Sequence, residues 1–197
     1  MQYRTFEDPP AARWLFGNTA LAIVWLAARL YIGYNFLMSG WHKVSNPAWM
    51  DTGLALKGSW AKAVLIPETG SPAITFDWYR EAINMLLVGG HFTWFGKLIV
   101  LGELAIGIGL ILGCFTGIAA FFAAFMNWNF LMLGVVSVNP VFMPIGLVLM
   151  MAWKTAGYYG LDRWLLPALG TPWQPGVVFA PPHLTVEGRP APPAPRS

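Results

Sequence analysis

An all-α integral membrane fold is expected of this sequence: a four-helix up-down bundle with a long loop carrying amphipathic helices between its first and second spans. Three observations lead there. Of 197 residues, 56% are apolar and only 11% charged, whereas a water-soluble domain carries about 25% charge. Four long apolar stretches recur, each near the roughly 20 residues needed to cross hydrocarbon. The last three of these are joined by turns so short that they must run antiparallel. The lipid bilayer is therefore the expected partner of most of the chain.

Residues 1–18 form a polar N-terminal segment with Glu7, Asp8 and Pro9-Pro10, closing on Arg13, Trp14 and Phe16, a basic and aromatic approach to a membrane interface. No basic stretch with a small-residue cleavage site precedes the first apolar run, so a removable signal peptide is not expected. Residues 19–159 make the transmembrane domain. Its first span is 19–38, with Arg29 near the centre. From 39 to 94 the chain is an extramembrane loop broken at Asn46-Pro47, Pro67 and Ser71-Pro72. Two amphipathic helices fit there. Trp49, Leu56, Trp60 and Ala63 share one face of the first, and Phe76, Tyr79, Ile83, Leu86 and Gly90 one face of the second, at helical spacing. Lys57, Lys62, Arg80 and Glu81 take the other faces, so these helices either lie on the membrane surface and cap the bundle or offer a docking platform.

The second, third and fourth spans are 95–115, 116–137 and 140–159. Cys114-Phe115-Thr116-Gly117 and Val138-Asn139-Pro140 are the short joins. Gly102, Gly109, Gly113 and Gly117, with Ala119, Ala120, Ala123 and Ala124, are the small residues that let membrane helices approach. Residues 160–197 are an interfacial stub followed by a Pro-rich tail expected to be extended or disordered.

Twelve basic against nine acidic residues give a net charge of +3, but the basic residues are scattered singly, which argues against a nucleic-acid partner. A single cysteine, Cys114, excludes an internal disulfide and a cysteine-rich metal centre. The terminal side carries Arg4, Arg13, Lys154, Arg163, Arg189 and Arg196. The loop carries Lys43, Lys57, Lys62 and Arg80 together with four acidic residues. Cytoplasmic termini are the expectation, in a bacterial or archaeal cytoplasmic membrane.

A charge inside the bilayer costs about 2.5 to 3.5 kcal/mol on insertion scales, so such residues need partners and are functional suspects. Arg29 lies nine residues before Met38, Glu103 eight after Phe95, and Asn129 and Asn127 eight and ten before Ser137. Counting from the loop side, all sit roughly 12–15 Å deep, in one layer. Arg29 and Glu103 are the expected ion pair. Either the pair only fixes helix register, or the layer is a pocket for a quinone headgroup. In the second case Arg29 polarises a carbonyl, Glu103 relays a proton, and Asn127, Trp128 and Asn129 complete the binding site.

Arg29, Gly33, Phe36, Gly40 and Lys43 fall on one helix face leading to the loop-side rim. There His42, Lys43, His91 and Lys97 gather. His42, Lys43 and Lys97 are candidate contacts for a small anion such as thiosulfate or a sulfinate, although lysines at helix ends also simply snorkel. No set of metal or haem ligands is evident. Trp41, Trp94, Trp153, Tyr158 and Tyr159 suit an aromatic belt.

Several segments resemble the DoxX family of four-span membrane proteins: Arg29-Leu-Tyr-Ile-Gly33 with Ser39-Gly40-Trp-His-Lys43, and Gly102-Glu103 with Gly113-Cys-Phe-Thr-Gly117-Ile-Ala-Ala. Gly157-Tyr-Tyr-Gly-Leu-Asp-Arg-Trp-Leu-Leu-Pro167 and Gly170-Thr-Pro-Trp173 are similar to the ending of its DoxD-like branch, the larger membrane subunit of thiosulfate:quinone oxidoreductase. The resemblance covers about residues 20–175. It implies a membrane subunit that oxidises thiosulfate to tetrathionate and passes electrons to quinone, together with a second small subunit. The other expectation is a non-catalytic accessory subunit packed against a larger respiratory or photosynthetic membrane complex, serving assembly, stability or quinone passage. Cys114 lies at the membrane face opposite the rim, so no cysteine is placed there to hold thiosulfate covalently.

Overall fold

The computed structural model describes residues 8–170. The Pro-rich tail, Arg4, Arg189, Arg196 and the Thr-Pro-Trp173 end of the resemblance lie outside the described residues. Within them the chain is all-helical, with no strand.

A short helix, α1 (Pro10–Gly17), and a 3-10 turn precede α2 (Ala22–Val44). Asn18 opens the turn by accepting a hydrogen bond from the Ala20 amide through its side chain. Then come α3 (Pro47–Met50), α4 (Leu54–Val64), α5 (Asp77–Val88) and α6 (Phe92–Leu112). The chain ends in α7 (Thr116–Met132), α8 (Asn139–Met151), α9 (Trp153–Ala156) and α10 (Asp162–Leu169). Among the described residues, the two helices long and apolar enough to cross a membrane are Thr19–Val44, with the turn included, and α6.

Boundaries differ from the sequence expectation in an informative way. The first helix does not stop at Met38; it runs to Val44, because Gly40 continues a packed face and nothing before Asn46-Pro47 breaks the turn. The third apolar helix ends at Met132, and the fourth breaks at Ala152.

In lipid, apolar side chains gain little by leaving one hydrocarbon for another, so close approach decides which helices pair. The α2 and α6 helices pack antiparallel along a seam of small residues. Gly33 lies against Leu110 and Ile111, Gly40 against Leu104, and Gly107 against the backbone of Leu37, where a Cβ would stand only 2.5 Å from the Leu37 nitrogen. Beyond the end of α2 the seam continues, with the Trp49 carbonyl over Gly96. On the other side of α6, Gly109 meets Ala119 and Gly102 meets Met126 of α7. The α7 helix in turn packs on α8, Ala120 and Ala124 against Gly146.

Two cores result. Ile32, Phe36, Ile106, Leu110, Ala120, Ala123, Phe142 and Leu149 fill the space between α2, α6, α7 and α8. Leu56, Trp60, Ala63, Ile74, Tyr79, Ile83 and Leu133 form the second, where α4 and α5 fold back on the start of α6. The amphipathic faces expected for the loop are those that pack, except that Phe76 is exposed and Trp49 belongs to the separate turn α3.

Gly107→Ala should destabilise the protein by about 1–3 kcal/mol, since the added carbon meets backbone that cannot yield. Gly58→Ala, in open space on α4, should be neutral or stabilising by about 0.5–1 kcal/mol. Denaturation in mixed detergent followed by circular dichroism checks both.

Candidate functional site: two buried polar clusters

The seam determines where each buried charge stands. Arg29 does not reach Glu103. It passes the end of α6, where its guanidinium lies against Gly113 and Gly160. One of its terminal nitrogens donates to the Ala156 carbonyl (3.3 Å) and the other to the Tyr159 carbonyl (2.9 Å). Gly113 is ten residues past Glu103, about 15 Å along the helix. The expected Arg29–Glu103 pair is therefore corrected. Its premise was a common rim at Met38 and Phe95, but α2 ends at Val44 opposite the middle of α6, and the two helices are staggered.

Asp162 is the acidic residue close enough to act on Arg29. Its carboxylate accepts from the backbone amides of Phe115 (2.7 Å) and Thr116 (2.8 Å). These are the first donors of α7, and Phe115, with φ +49, has no side-chain oxygen to cap them. The Leu161 and Asp162 amides donate to the Leu112 and Gly113 carbonyls, so the end of α6, the start of α7 and the α9–α10 turn are one knot around Arg29. Sequence reasoning missed Asp162. The available signal was a helix opening on Phe115-Thr116 with no capping side chain before it.

Glu103 is buried near the middle of α6 and pairs with Lys43 of the last turn of α2, Nζ to Oε1 at 2.5 Å. Lys43 also donates to the Ser39 hydroxyl (3.0 Å) and lies 4.9 Å from the centre of the Trp49 ring. The Ser39 hydroxyl is thereby held beside the buried carboxylate, where it is the neighbouring donor. Lys43 is the open side of the pair, its side chain 21% exposed against 3% for Glu103.

The remaining candidates are not gathered around either cluster. Asn127 is buried and donates to the Ala123 carbonyl, Trp128 faces outward, and Asn129 accepts from the Tyr79 hydroxyl at 3.1 Å. Three consecutive helical residues point some 100° apart, so they do not line one pocket. Burial raises the Tyr79 phenol above its ordinary pKa, keeping it the donor in that bond. At the rim, Lys43 turns inward, while His42 and Lys97 are exposed. His91 accepts from the Trp94 indole at 3.2 Å. Among the described residues no three His, Cys, Asp or Glu side chains are grouped to hold a metal. A groove of about 280 Å³ lies away from Glu103, bounded by Phe115, Ile118, Met150, Trp153, Asp162 and Leu166.

These features define an all-helical membrane protein with a buried ammonium–carboxylate pair between its two longest helices. The sequence model described as DoxX matches residues 24–136, and the chain belongs to the DoxX family. No curated protein and no solved structure matches it. The matched region contains Arg29, Lys43 and Glu103 but ends before Asp162.

Asp162→Ala should cost about 2–3 kcal/mol, because it leaves the Phe115 and Thr116 amides without their acceptor and removes the negative charge nearest the buried Arg29 guanidinium. Asp162→Asn, which keeps one acceptor oxygen, should cost less. Denaturation midpoints and protease sensitivity at the α6–α7 turn measure the difference.

Proposed function

We propose that the chain is a membrane subunit of a quinone-linked oxidoreductase, with α2, α6, α7 and the α8–α9 pair as the four spans of an up-down bundle. The observation that carries this reading is the Lys43–Glu103 pair. A carboxylate buried in a spanning helix and held against a partly open ammonium is costly to keep for packing alone and suits the handling of protons.

In this reading Lys43, the more open partner, donates a hydrogen bond to a quinone carbonyl, and Glu103 behind it holds a proton for the reduced ring. Arg29, engaged by two backbone carbonyls, positions helices. The donor proposed from the DoxD-like resemblance is thiosulfate. Two thiosulfate anions joined by a new S–S bond release two electrons, which with two protons convert quinone to hydroquinone. His42 and Lys97, exposed on the loop side, are the candidate anion contacts, and a second subunit supplies what this chain lacks for sulfur chemistry.

A second reading has its own observation. Phe121, Phe122, Phe125 and Trp128 are exposed along α7, with neighbouring rings 5.2 to 6.1 Å apart. Such a ladder suits an accessory subunit packed against another membrane chain. That role requires co-purification with a larger complex and no turnover by this chain.

The decisive experiment measures thiosulfate-dependent reduction of a quinone analogue in membranes containing the natural partners. Glu103→Gln should slow turnover about 100-fold, the lower range for loss of a proton-transfer group. The double variant Lys43→Met/Glu103→Met should remain folded, since a buried ion pair is often replaced by apolar residues at little cost, yet be inactive. Full activity in that folded variant, or none in the wild type with its partners, would refute the enzymatic reading.

A further inference from the structure

The segment between the two long helices has a second apolar face that its own core does not use. On α5, Tyr79 and Ile83 enter the core shared with α4. Trp78, Met85 and Val88, spaced i, i+7 and i+10, point the other way and are 60%, 71% and 80% exposed. Water would be a poor neighbour for such a row.

The position of α5 says what the neighbour is. At its C-terminal end only Gly89, Gly90 and His91 separate Val88 from the first residue of α6, and the Gly89, Gly90 and His91 amides bond back to Met85, Leu87 and Leu86. That end is therefore held at the mouth of a membrane span. Toward its N-terminal end, the Tyr79 hydroxyl reaches Asn129, within the last turn of α7, and Ala73 packs on Gly134 just past it. The helix is pinned at both ends to the loop-side ends of spans, which is where the headgroups lie. The charges fit that level. Arg80 folds back on Asp77 and the Ile74 carbonyl, Glu81 stays exposed between the apolar residues, and Lys97 emerges one turn inside α6.

We propose that α5 is an interfacial lipid-binding helix, its outer face of Trp78, Met85 and Val88 seated at the boundary between headgroups and acyl chains of the loop-side leaflet. A surface of this kind buries its apolar row several ångströms below the headgroups, while its polar residues stay among them. The α5 helix thus lies in the membrane interface beside the loop-side ends of α6 and α7. The proposal rests on α6 and α7 both spanning the bilayer, as in the bundle proposed above, and is independent of any quinone chemistry.

The test uses the full chain in phosphatidylcholine and phosphatidylglycerol vesicles, with Cys114→Ser as background and single cysteines at Met85→Cys and Val88→Cys carrying a polarity-sensitive fluorophore. Glu68→Cys, in the exposed link between α4 and α5, is the aqueous control, and Phe122→Cys on α7 the lipid control. Positions 85 and 88 should be quenched by acyl-chain nitroxides nearly as strongly as 122, and be several-fold less sensitive to iodide than 68. Iodide quenching equal to that at 68 would place the face in water. Protection from both quenchers would mean that protein covers it. Either result overturns the proposal.

Discussion

With no side chain at Gly107, the backbone of Leu37 lies directly on α6, and that contact fixes the register of the two longest helices. Everything polar in the interior follows from this register. Once Leu37 stands opposite Gly107, the last turn of α2 must meet the middle of α6, which brings Lys43 to Glu103. By the same stagger, Arg29 must pass the end of α6 at Gly113 and find its partners in the α9–α10 turn. A one-turn slip, about 5.4 Å, would separate both groups from their partners, so packing and electrostatics select the same arrangement.

The two buried clusters are built differently, and the difference bears on function. Around Arg29, terminal nitrogens meet carbonyls, the Asp162 oxygens meet amides, and three chain segments are tied by groups that a helix end must satisfy in any case. These contacts tie a helix start to two turns, while Arg29 Nε and Thr116 Oγ1 stay buried without a partner. Around Glu103 the partners are side chains instead, and one of them, Lys43, opens to the surroundings. One oxygen is taken by Lys43, and the Ser39 hydroxyl, which itself accepts from Lys43, is the neighbouring donor to the carboxylate. A charged pair placed in a spanning helix is costly, and Gly33, Gly40 and Gly107 already fix the register without it.

Much of this was legible in the sequence. Low charge and apolar runs indicate membrane helices, and the stripe of Arg29, Gly33, Phe36, Gly40 and Lys43 is the face of α2 that turns inward. The i, i+4 and i+7 spacings of Leu56, Trp60 and Ala63 and of Tyr79, Ile83 and Leu86 mark the packed faces of α4 and α5. What could not be read was the relative height of the helices. Depth counted from assumed rims placed Arg29 level with Glu103 and left Lys43 outside. Stagger depends on which backbone positions touch, and a glycine announces that it can be approached without announcing by what. Asp162 was hidden for a related reason. Its partners are main-chain amides 46 and 47 residues away, and no side-chain pattern encodes an amide.

The stagger also accounts for a composition that is odd for a loop. Because α2 stops opposite the middle of α6, the first two turns of α6 would be bare on that side. The Trp49 carbonyl covers Gly96, Gly53 sits on Phe92 and Thr93, and Trp60 packs edge-on to Phe95. A polar linker could not provide these contacts, so the segment must be apolar toward α6 whatever lies outside it. It also closes over Lys43, whose ammonium rests on the Trp49 ring, and so sets which side of the Lys43–Glu103 pair opens to the surroundings. The link between the first two long helices is in this sense part of the polar site, and a change in α3 would reach Glu103 through Lys43 without touching it.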